Sequence, residues 1–395
     1  MKKNKTKDMK KKTILFTAAR YHTNQIPIVK GLQEKGFSVN YLVHYKGEVE
    51  DYSLLTPELL KESLISRFLR SLRNIGRKSS DSLKENLFIP SLWTTIQQIK
   101  RIHPDIVVIR NRVILSLIVT MACRILNIKK LVLYTQTPLN SNSHLSVKKK
   151  MYYKFFPQVR MTPVLNVRHY QEQYKECKIW KHDYFIPLIF NLPLNNKEKT
   201  YFDKDIINIV CIGKYRAYKN HVLLVQAISL LSQKERNKIH IEIIGQDISK
   251  EEHEYRRKLE ELIVQLSLTE TFTLYRNRPY SMMPEVYKKN DVLILPSRLE
   301  TAGMVILESM AYGLCTISSD NCGLATYITD AQAGMTFDYS SAESLSQVLS
   351  SFILNRRMVK EYGQNGEKYV KDKLSFSAYF SRFQTMIEKE FSYQL

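Results

Sequence analysis

The sequence predicts two consecutive α/β domains, each built on a doubly wound parallel sheet. Short β-branched runs alternate with helical patterns along the chain, and this alternation occurs twice, on either side of a polar stretch at 195–197. The length of 395 residues fits two domains better than one. We therefore expect two sheets that face each other across a cleft, with ligands bound at the carboxyl ends of the strands.

The strands are predicted from short apolar runs. In the first series these runs cover residues 12–19, 38–43, 104–110 and 130–134. In the second series they cover residues 208–212, 239–245, 271–275, 292–296 and 315–318. Helical periodicity predicts a helix at 25–35, ended by Gly36, and a last helix at 376–391. We expect domains at residues 1–194 and 195–374, followed by a C-terminal helix within 375–395.

The composition excludes several classes of protein. Apolar residues make up 44% and charged residues 25% of the chain, which is typical of a globular protein and not of a disordered one. The five cysteines show no metal-ligand spacing and are expected to be reduced thiols: Cys123, Cys177, Cys211, Cys315 and Cys322. No apolar run is long enough to predict a membrane-spanning helix, and the N-terminal lysines precede only a short apolar segment. We therefore expect a cytoplasmic protein.

The excess of positive charge lies in the first half of the chain. Residues 1–170 contain 31 Lys and Arg against 10 Asp and Glu, whereas residues 171–395 contain 29 against 28. This asymmetry indicates a polyanionic partner for the first domain, either nucleic acid or an anionic membrane surface. No nucleic-acid-binding module is recognisable, so we expect no nucleic acid partner and favour the membrane.

A basic amphipathic helix is predicted at 57–78 and suits such a membrane surface. It would carry an apolar stripe of Leu60, Leu64, Phe68, Leu72 and Ile75, with Arg67, Arg70, Arg73 and Arg77 around it. A second cluster, at 148–156, interleaves lysines with aromatic residues. At about 1 kcal/mol per basic residue near an anionic surface, a few such residues are enough for reversible attachment. The simpler alternative is that these helices cover the first core and that their arginines are solvated.

Two carboxylates follow the fourth strand of the second series, in the segment ETAGMVILE. The strand brings Glu300 to the carboxyl edge of the sheet, and Gly303 lets the chain turn closely into a helix whose first amides belong to Met304 and Val305. The free N–H groups and positive dipole end of a helix suit sugar hydroxyls or phosphate. Glu308, further along this helix, can accept two hydrogen bonds from a diol such as ribose. These carboxylates therefore have the spacing to span a nucleotide and an attached sugar.

The segment LPSRLETAGMVILESMAYG resembles the retaining glycosyltransferases of family 4, group 1 glycosyltransferases with the GT-B fold. Their two glutamates separated by seven residues are matched by Glu300 and Glu308. Their segment of glycine, a basic residue, four further residues and lysine is matched by GKYRAYK, which supplies Gly213, Lys214 and Lys219. The resemblance covers about residues 205–390 and is only general over residues 12–135.

The resemblance implies a role for each matched residue. Glu300 and the first amides of the following helix would contact the donor sugar, while Glu308 would contact the ribose of the nucleotide. Lys214 and Lys219 would hold the donor diphosphate. Because Lys214 stands where the family usually has arginine, Arg216 is expected to help. The resemblance also implies that the C-terminal helix returns to the first domain, and that this domain binds the acceptor.

The first domain departs from the pattern of the family. The glycine pair that is usual after the first strand is replaced by Tyr21 and His22, followed by Asn24. Where the family often has a histidine, after a later strand, this chain has Gln136, with His144 as a second candidate. The resemblance thus places His22, Asn24 and Gln136 on the acceptor side. For both histidines, an ordinary loop position is the alternative interpretation.

No cofactor and no metal ion is expected. Asp203 and Asp205 match an acid–x–acid metal motif only superficially, since enzymes with the GT-B fold normally use basic residues and helix dipoles instead. Thr326 replaces a glutamate that is typical of the family, so one contact on the nucleotide side is expected to be missing.

The resemblance implies transfer of a sugar, with retention of configuration, from a nucleoside diphosphate sugar, in the first place a UDP-sugar. The acceptor would be a glycolipid or polysaccharide precursor of the cell envelope, met at the inner face of the membrane. Charge on the leaving diphosphate would be stabilised by the basic residues. Three alternatives remain: a non-catalytic GT-B subunit that partners an active transferase, a nucleotide-sugar epimerase with the same fold, and a nucleic-acid-binding protein.

Overall fold

A computed structural model of the chain describes residues 11–47, 50–73, 88–136, 154–164, 182–190, 199–202 and 205–395. Several predicted features lie outside these ranges: the N-terminal lysine run, His144, most of the cluster at 148–156, Cys177, the polar stretch at 195–197 with the boundary at 194/195, and Asp203. Within these ranges the chain forms two parallel sheets flanked by helices. The predicted α/β class is confirmed.

The first sheet contains seven of the described strands, in the order β3-β2-β1-β4-β5-β6-β7, and all neighbours are parallel. These strands are β1 (Thr13–Ala18), β2 (Ser38–Val43), β3 (Glu58–Leu59), β4 (Ile106–Arg110), β5 (Leu131–Tyr134), β6 (Val159–Thr162) and β7 (His182–Phe185). Ile14 and Val108 belong to the core on one face, while Leu15 and Val107 belong to the core on the other. Because both faces are buried, the strands are nearly continuous apolar runs.

The second sheet contains six of the described strands, in the order β10-β9-β8-β11-β12-β13, again all parallel. These strands are β8 (Ile207–Ile212), β9 (Ile239–Gly245), β10 (Phe272–Arg276), β11 (Val292–Leu295), β12 (Cys315–Ser319) and β13 (Gly334–Phe337). In both sheets the chain order runs outward in opposite directions from one strand, β1 or β8. Such a switch point opens a crevice at the carboxyl ends of the strands, where ligands bind.

Helices cover the faces of both sheets. In the described part of the chain they are α1 (Ile26–Glu34), α2 (Leu64–Arg73), α3 (Leu92–Ile102), α4 (Val113–Ile125), α5 (His221–Ser229), α6 (Gln233–Arg236), α7 (Lys250–Gln265), α8 (Met283–Lys289), α9 (Met304–Ala311), α10 (Ala325–Ala331), α11 (Ala342–Leu354), α12 (Arg356–Lys373) and α13 (Phe376–Phe391). Short 3-10 turns cover Thr23–Gln25, Ala217–Lys219 and Tyr280–Met282.

The last helix, α13, lies on the first sheet although it follows the second in sequence. Ser375 caps its N-terminus by accepting a hydrogen bond from the backbone N–H of Ala378, and the helix covers the predicted residues. Its buried side chains, among them Phe383 and Ile387, belong to the same core as Ile14 of β1. The expected return of the C-terminal helix to the first domain is confirmed.

The predicted amphipathic helix at 57–78 is wrong in its first part. Residues 58–59 instead pair with β2 as the short edge strand β3, and α2 begins only at Leu64. Leu60 is buried in the first domain whereas Leu64 is 80% exposed, so the two do not share one stripe. The edge of β2 offers backbone hydrogen-bond partners that helical periodicity does not reveal, and the N–H of Leu60 donates to the carbonyl oxygen of Val43. Residues 74–78 lie outside the described ranges.

Candidate active site

In the segment after β8, the side chain of Lys219 packs over the backbone of Gly213. A Cβ atom on Gly213 would lie 3.1 Å from Cδ of Lys219, so the missing side chain leaves room for the lysine stem against the backbone. The fully buried Tyr215 anchors this loop, because its hydroxyl donates to the carbonyl oxygen of Tyr275 at 2.8 Å. The amine of Lys219 is thereby held at the carboxyl edge of the second sheet.

Lys219 and Glu300 form an ion pair between Nζ and Oε2. Their side chains are only 13% and 20% exposed, so water screens the pair weakly. The backbone of Glu300 is fixed by the N–H of Gly323, which donates to its carbonyl oxygen at 2.9 Å. A Cβ atom on Gly323 would lie 1.9 Å from the carbonyl oxygen of Thr301, so this close approach requires glycine. The two predicted segments therefore meet at one point.

The other two basic residues of this loop lie in different environments. Lys214 is exposed and has no ion-pair partner among the described residues. Arg216 donates from Nε to Oε1 of Glu252 at 2.9 Å, while the other carboxylate oxygen of Glu252 accepts from the N–H groups of Ile248 and Ser249. The charge of Arg216 is thus already paired, and that of Lys214 is available. Their assignment to a donor diphosphate stays a prediction.

Gly303 makes the turn into α9 in the way the sequence predicts. Its φ is +77°, in the left-handed region that favours glycine, and a Cβ atom there would lie 2.8 Å from Sγ of Cys322. The helix begins at Met304 without a side-chain cap. The N–H groups of Met304 and Val305 therefore have no partner within the helix, and the positive end of the helix dipole lies beside Glu300.

Glu308 is buried among tyrosines. Oε2 accepts a hydrogen bond from the Tyr287 hydroxyl at 2.5 Å, and Oε1 accepts one from the Tyr280 hydroxyl at 3.4 Å. Burial raises the pKa of Glu308 to about 7, although these two hydrogen bonds oppose the shift. The sequence predicts that both carboxylate oxygens of Glu308 bind a diol. In the structure each already accepts a hydrogen bond, a short one from Tyr287 and a long one from Tyr280.

A cavity of about 820 Å³, including its open mouth, lies between the two domains. Glu308, Met304 and Tyr280 contribute to its wall from the second domain, and Asn24 contributes from the first. Further aromatic lining comes from Phe190 and Tyr312. This aromatic and polar lining suits a flat heterocycle with a polar attachment. Asn24, predicted on the acceptor side, thus lies in the same cavity as Glu308.

Two contacts hold the loop after β1, in which Tyr21 and His22 stand where the family usually has two glycines: one made by Tyr21 and one made by Glu50. The Tyr21 ring is buried edge-on against Tyr41, with 5.1 Å between the ring centroids. Glu50 accepts hydrogen bonds from both N and Oγ1 of Thr23, at 2.6 and 2.7 Å, and lies 3.4 Å from Nδ1 of His22. Burial lowers the pKa of His22, against the opposing effect of Glu50, so the ring is neutral at pH 7.

Gln136 lies at the same edge of the first sheet, after β5. Its Oε1 accepts a hydrogen bond of 3.4 Å from Arg110, the last residue of β4. Sequence reasoning missed Arg110, Glu50, Tyr280 and Tyr287. Arg110 could have been found as the last residue of a predicted strand. The tyrosines gave no such signal, since they act through contacts between segments distant in sequence.

A metal site is not apparent in the described ranges, where no group of three His, Cys, Asp or Glu side chains could hold an ion. Asp205 forms an ion pair with Arg356 at 2.9 Å. The four described cysteines are unpaired and buried. None of the described helices combines the length and the apolar character needed to cross a membrane.

Residues 194–369 match the family model of the group 1 glycosyl transferases. The chain is 24% identical over 208 residues to the lipopolysaccharide glucosyltransferase WaaG of Escherichia coli, which is 51% of this chain and 53% of WaaG. It is 26% identical over 152 residues to an uncharacterized 41.2 kDa protein in the cps region of Klebsiella pneumoniae, 38% of each chain. The chain thus spans about half or less of the length of these curated relatives.

Solved structures match nearly the whole chain. A glycosyltransferase from Rickettsia africae has a TM-score of 0.69 at 16% identity, covering 96% of this chain and 98% of its own. HepE of Anabaena, solved in complex with UDP, has a TM-score of 0.71 at 12% identity, covering 96% and 100%. These likenesses confirm the predicted GT-B fold. Residues 194–369 are therefore similar to the group 1 glycosyl transferases, and the chain as a whole has the GT-B fold.

Proposed function

We propose that this chain is a retaining glycosyltransferase of family 4. It transfers a sugar from a nucleoside diphosphate sugar, in the first place a UDP-sugar, to a lipid-linked or polysaccharide precursor of the cell envelope. The observation that carries the proposal is the Lys219–Glu300 ion pair beside the N-terminus of α9, the helix that contributes Met304 and Glu308 to the wall of the cavity between the domains. Similar proteins support this proposal. HepE was solved in complex with UDP-glucose, and WaaG and the mannosyltransferase LpcC act in lipopolysaccharide synthesis.

When the donor binds, Lys219 exchanges its contact with Glu300 for one with the diphosphate of the donor. Lys219 is neutralised by Glu300 in the structure, and an incoming diphosphate offers the amine a second, doubly charged partner. Glu300 is then free to accept hydrogen bonds from sugar hydroxyls, next to the amides of Met304 and Val305. Lys214, exposed and without an ion pair in the described part of the chain, adds a second positive charge.

In the reaction, the bond between the anomeric carbon and the diphosphate oxygen breaks while the acceptor oxygen bonds to the same carbon from the same face. The negative charge that develops on the diphosphate is stabilised by Lys219 and Lys214, which are preorganised at the edge of the sheet. The proton of the acceptor hydroxyl passes to the departing phosphate. No metal ion takes part in this scheme.

The ribose of the nucleotide takes the place of Tyr280 on Glu308. The bond from Tyr280 is long, 3.4 Å, and this tyrosine is 59% exposed, so it gives way at small cost. Tyr287, fully buried with a bond of 2.5 Å, keeps the carboxylate oriented. A ribose hydroxyl replaces the Tyr280 hydroxyl as the hydrogen-bond donor to Glu308. The carboxylate therefore stays hydrogen-bonded before and after the nucleotide binds.

The first domain provides the contact with an anionic membrane. On α2, Leu64 and Ile65 are 80% and 68% exposed beside the exposed Arg67. The start of α3 lies next to this helix, since the N–H of Ser63 donates to Ile89, and it adds Trp93, which is 68% exposed. Apolar side chains among basic residues have the composition of an interfacial helix. Docking here would bring the cleft to lipid-linked acceptors.

The test is a panel of nucleotide sugars incubated with the wild type and with Glu300→Gln, with release of free nucleoside diphosphate as the readout. We expect slow hydrolysis of one donor by the wild type and a loss of about 100-fold or more in the variant, as for removal of a catalytic charge-stabilising contact. Glu270→Gln, at an exposed glutamate near the opposite edge of the second sheet, is the matched control and should hydrolyse the donor normally.

Two results would contradict the proposal. Binding of a nucleotide without turnover, even with membrane extract as the acceptor source, would favour a non-catalytic partner subunit. Absence of any nucleotide binding would remove the basis for assigning Glu300, Glu308, Lys214 and Lys219 to a donor. The anomeric configuration of the isolated product, read by NMR, decides separately between retention and inversion.

A further inference from the structure

Arg110 has no ion-pair partner in the part of the chain that the structure describes. It ends β4, where its guanidinium carbon lies 5.8 Å from the ring centroid of Tyr134, and it donates one long hydrogen bond of 3.4 Å to Gln136. The nearby carboxylate of Glu50 is 3.7 Å from Nε of Arg20 and is also bonded to Thr23. The charge of Arg110 is therefore left without a counterion from the described residues, although its side chain is partly buried.

Arg110 and Arg20 line one narrow cavity at the carboxyl edge of the first sheet. They come from the ends of neighbouring strands, since β1 pairs with β4 in parallel. Hydroxyl and amide groups of the same wall come from Thr17, Gln25, Tyr41, Tyr134 and Tyr379, and the other lining residues are apolar. Guanidinium groups in such a weakly screened place bind carboxylate or phosphate oxygens strongly.

The narrow cavity adjoins the cavity that holds Glu308. Both are lined by the connection between β1 and α1, which contributes Arg20 and Gln25 to one and Asn24 to the other. Both are also lined by the segment after β7, through residues 186–188 and 189–190 respectively. A group bound at Arg110 therefore lies beside the donor, on the opposite wall of the cleft, where an acceptor must sit for transfer.

We propose that Arg110, assisted by Arg20, binds an anionic group of the acceptor, either a phosphate or a sugar carboxylate, close to the hydroxyl that receives the sugar. This inference rests on the proposed glycosyl transfer and narrows its acceptor to an acidic one. The two arginines and the surrounding hydroxyl groups recognise the oxygens of the anion. The apolar lining excludes water and strengthens this contact.

The experiment titrates full-length protein with three probes by calorimetry: glucose 1-phosphate, glucuronate and the neutral methyl glucoside. We expect the wild type to bind at least one anionic probe more tightly than methyl glucoside. Arg110→Gln should weaken that binding about tenfold or more, as for loss of a hydrogen bond to a charged group, without a similar loss for methyl glucoside. Arg110→Lys keeps a point charge but loses the planar fork, so an intermediate affinity is expected.

Arg124→Gln removes an exposed arginine of the same domain, at the end of α4, and serves as the matched control. Preference for glucose 1-phosphate identifies a phosphorylated acceptor, and preference for glucuronate identifies a uronic acid. Equal loss in Arg110→Gln and Arg124→Gln, or equal affinity of the wild type for all three probes, would overturn the inference. UDP binding, measured separately, distinguishes this failure from failure of the proposed function, because it depends on the second domain.

Discussion

The carboxyl group of Glu308 is held in a place that favours its neutral form. Burial raises its pKa to about 7, against about 4.5 for an exposed glutamate. The folded protein therefore holds a proton that the unfolded chain releases between these two pH values. The resulting stabilisation is fully present below about pH 4.5 and is lost as the pH rises through about 7.

Glu308→Gln should therefore stabilise the second domain at high pH and have little effect at low pH. The neutral amide keeps the shape of the side chain but carries no charge to desolvate. We expect a gain of up to about 3 kcal/mol at about pH 8.5 and almost none at about pH 4.5, from the size of the pKa shift. The measurement is the difference in thermal midpoint between variant and wild type at the two pH values.

The tyrosines around Glu308 do not complicate this result. Desolvation of their hydroxyl groups, together with the charge of Glu308, raises the pKa values of Tyr280, Tyr287 and Tyr312 above their usual value of 10, so none of them titrates in this interval. Glu270→Gln, on an exposed side chain, is the control and should give the same difference at both pH values. If Glu308→Gln also shifted the midpoint equally at both pH values, the raised pKa would be wrong.

Residues with a strong local pattern could be predicted from the sequence. Glu300 and Lys219 each follow a strand of the same sheet, so their meeting at one edge follows from topology alone. The partners of Glu308 could not be predicted, because a 3-10 turn and α8 bring Tyr280 and Tyr287 to it from distant positions. The functional roles assigned to these residues remain predictions.

At the scale of an element, α13 joins the two ends of the chain. Phe383 is fully buried in the core of the first domain, and its ring stacks on Tyr379 with 5.9 Å between centroids. Phe383→Ala should cost about 3–5 kcal/mol through lost burial and the cavity left behind. We expect amide hydrogen exchange to accelerate in β1 of the first domain more than in β8 of the second.

Phe352→Ala is the matched control for this prediction. Phe352 is equally buried, but in the core of the second domain, so the same chemical change should accelerate exchange in β8 instead. Equal effects of both variants on both sheets would mean that the domains unfold as one cooperative unit. The helix would then not act on the first domain in particular.

Strands were predictable wherever the sequence contains a continuous apolar run. The nine predicted strands agree with the structure to within two residues at each end, as continuous apolar runs allow. Four strands were missed because none of them is a continuous apolar run: β6, β7 and β13, and the short strand β3, which is held by the edge of β2. For the same reason, residues 58–59 were wrongly included in a helix: helical periodicity in a short window competes with pairing that only the folded sheet offers.

For the whole molecule, the unequal distribution of charge predicts an orientation at an anionic surface. The first 170 residues carry nearly all of the net positive charge, 31 basic residues against 10 acidic ones. Residues 171–395 are close to neutral, with 29 basic residues against 28 acidic ones. An anionic surface would therefore attract one domain and leave the other free to load the donor, and the cleft between them would open beside the membrane. The GT-B fold followed from the family resemblance, whereas this orientation remains a prediction.

Vesicle binding tests this orientation. Wild-type protein should bind vesicles that contain phosphatidylglycerol, and binding should weaken as the salt concentration rises from about 50 mM to about 500 mM because the contact is electrostatic. Leu64→Ser combined with Ile65→Ser removes exposed apolar groups of α2 without loss of a core contact. We expect about tenfold weaker vesicle binding from the lost apolar area, with unchanged thermal stability.

Val264→Ser, on an exposed valine of the second domain, is the control and should bind vesicles as the wild type does. A DNA duplex provides the second comparison, because it presents phosphate charge without an apolar phase. If positive charge alone drives association, the double variant and the wild type should bind vesicles equally and both should bind DNA, which would contradict insertion of α2. If α2 contributes its apolar side chains, the variant should lose vesicle binding while its weak, salt-sensitive attraction to DNA stays the same.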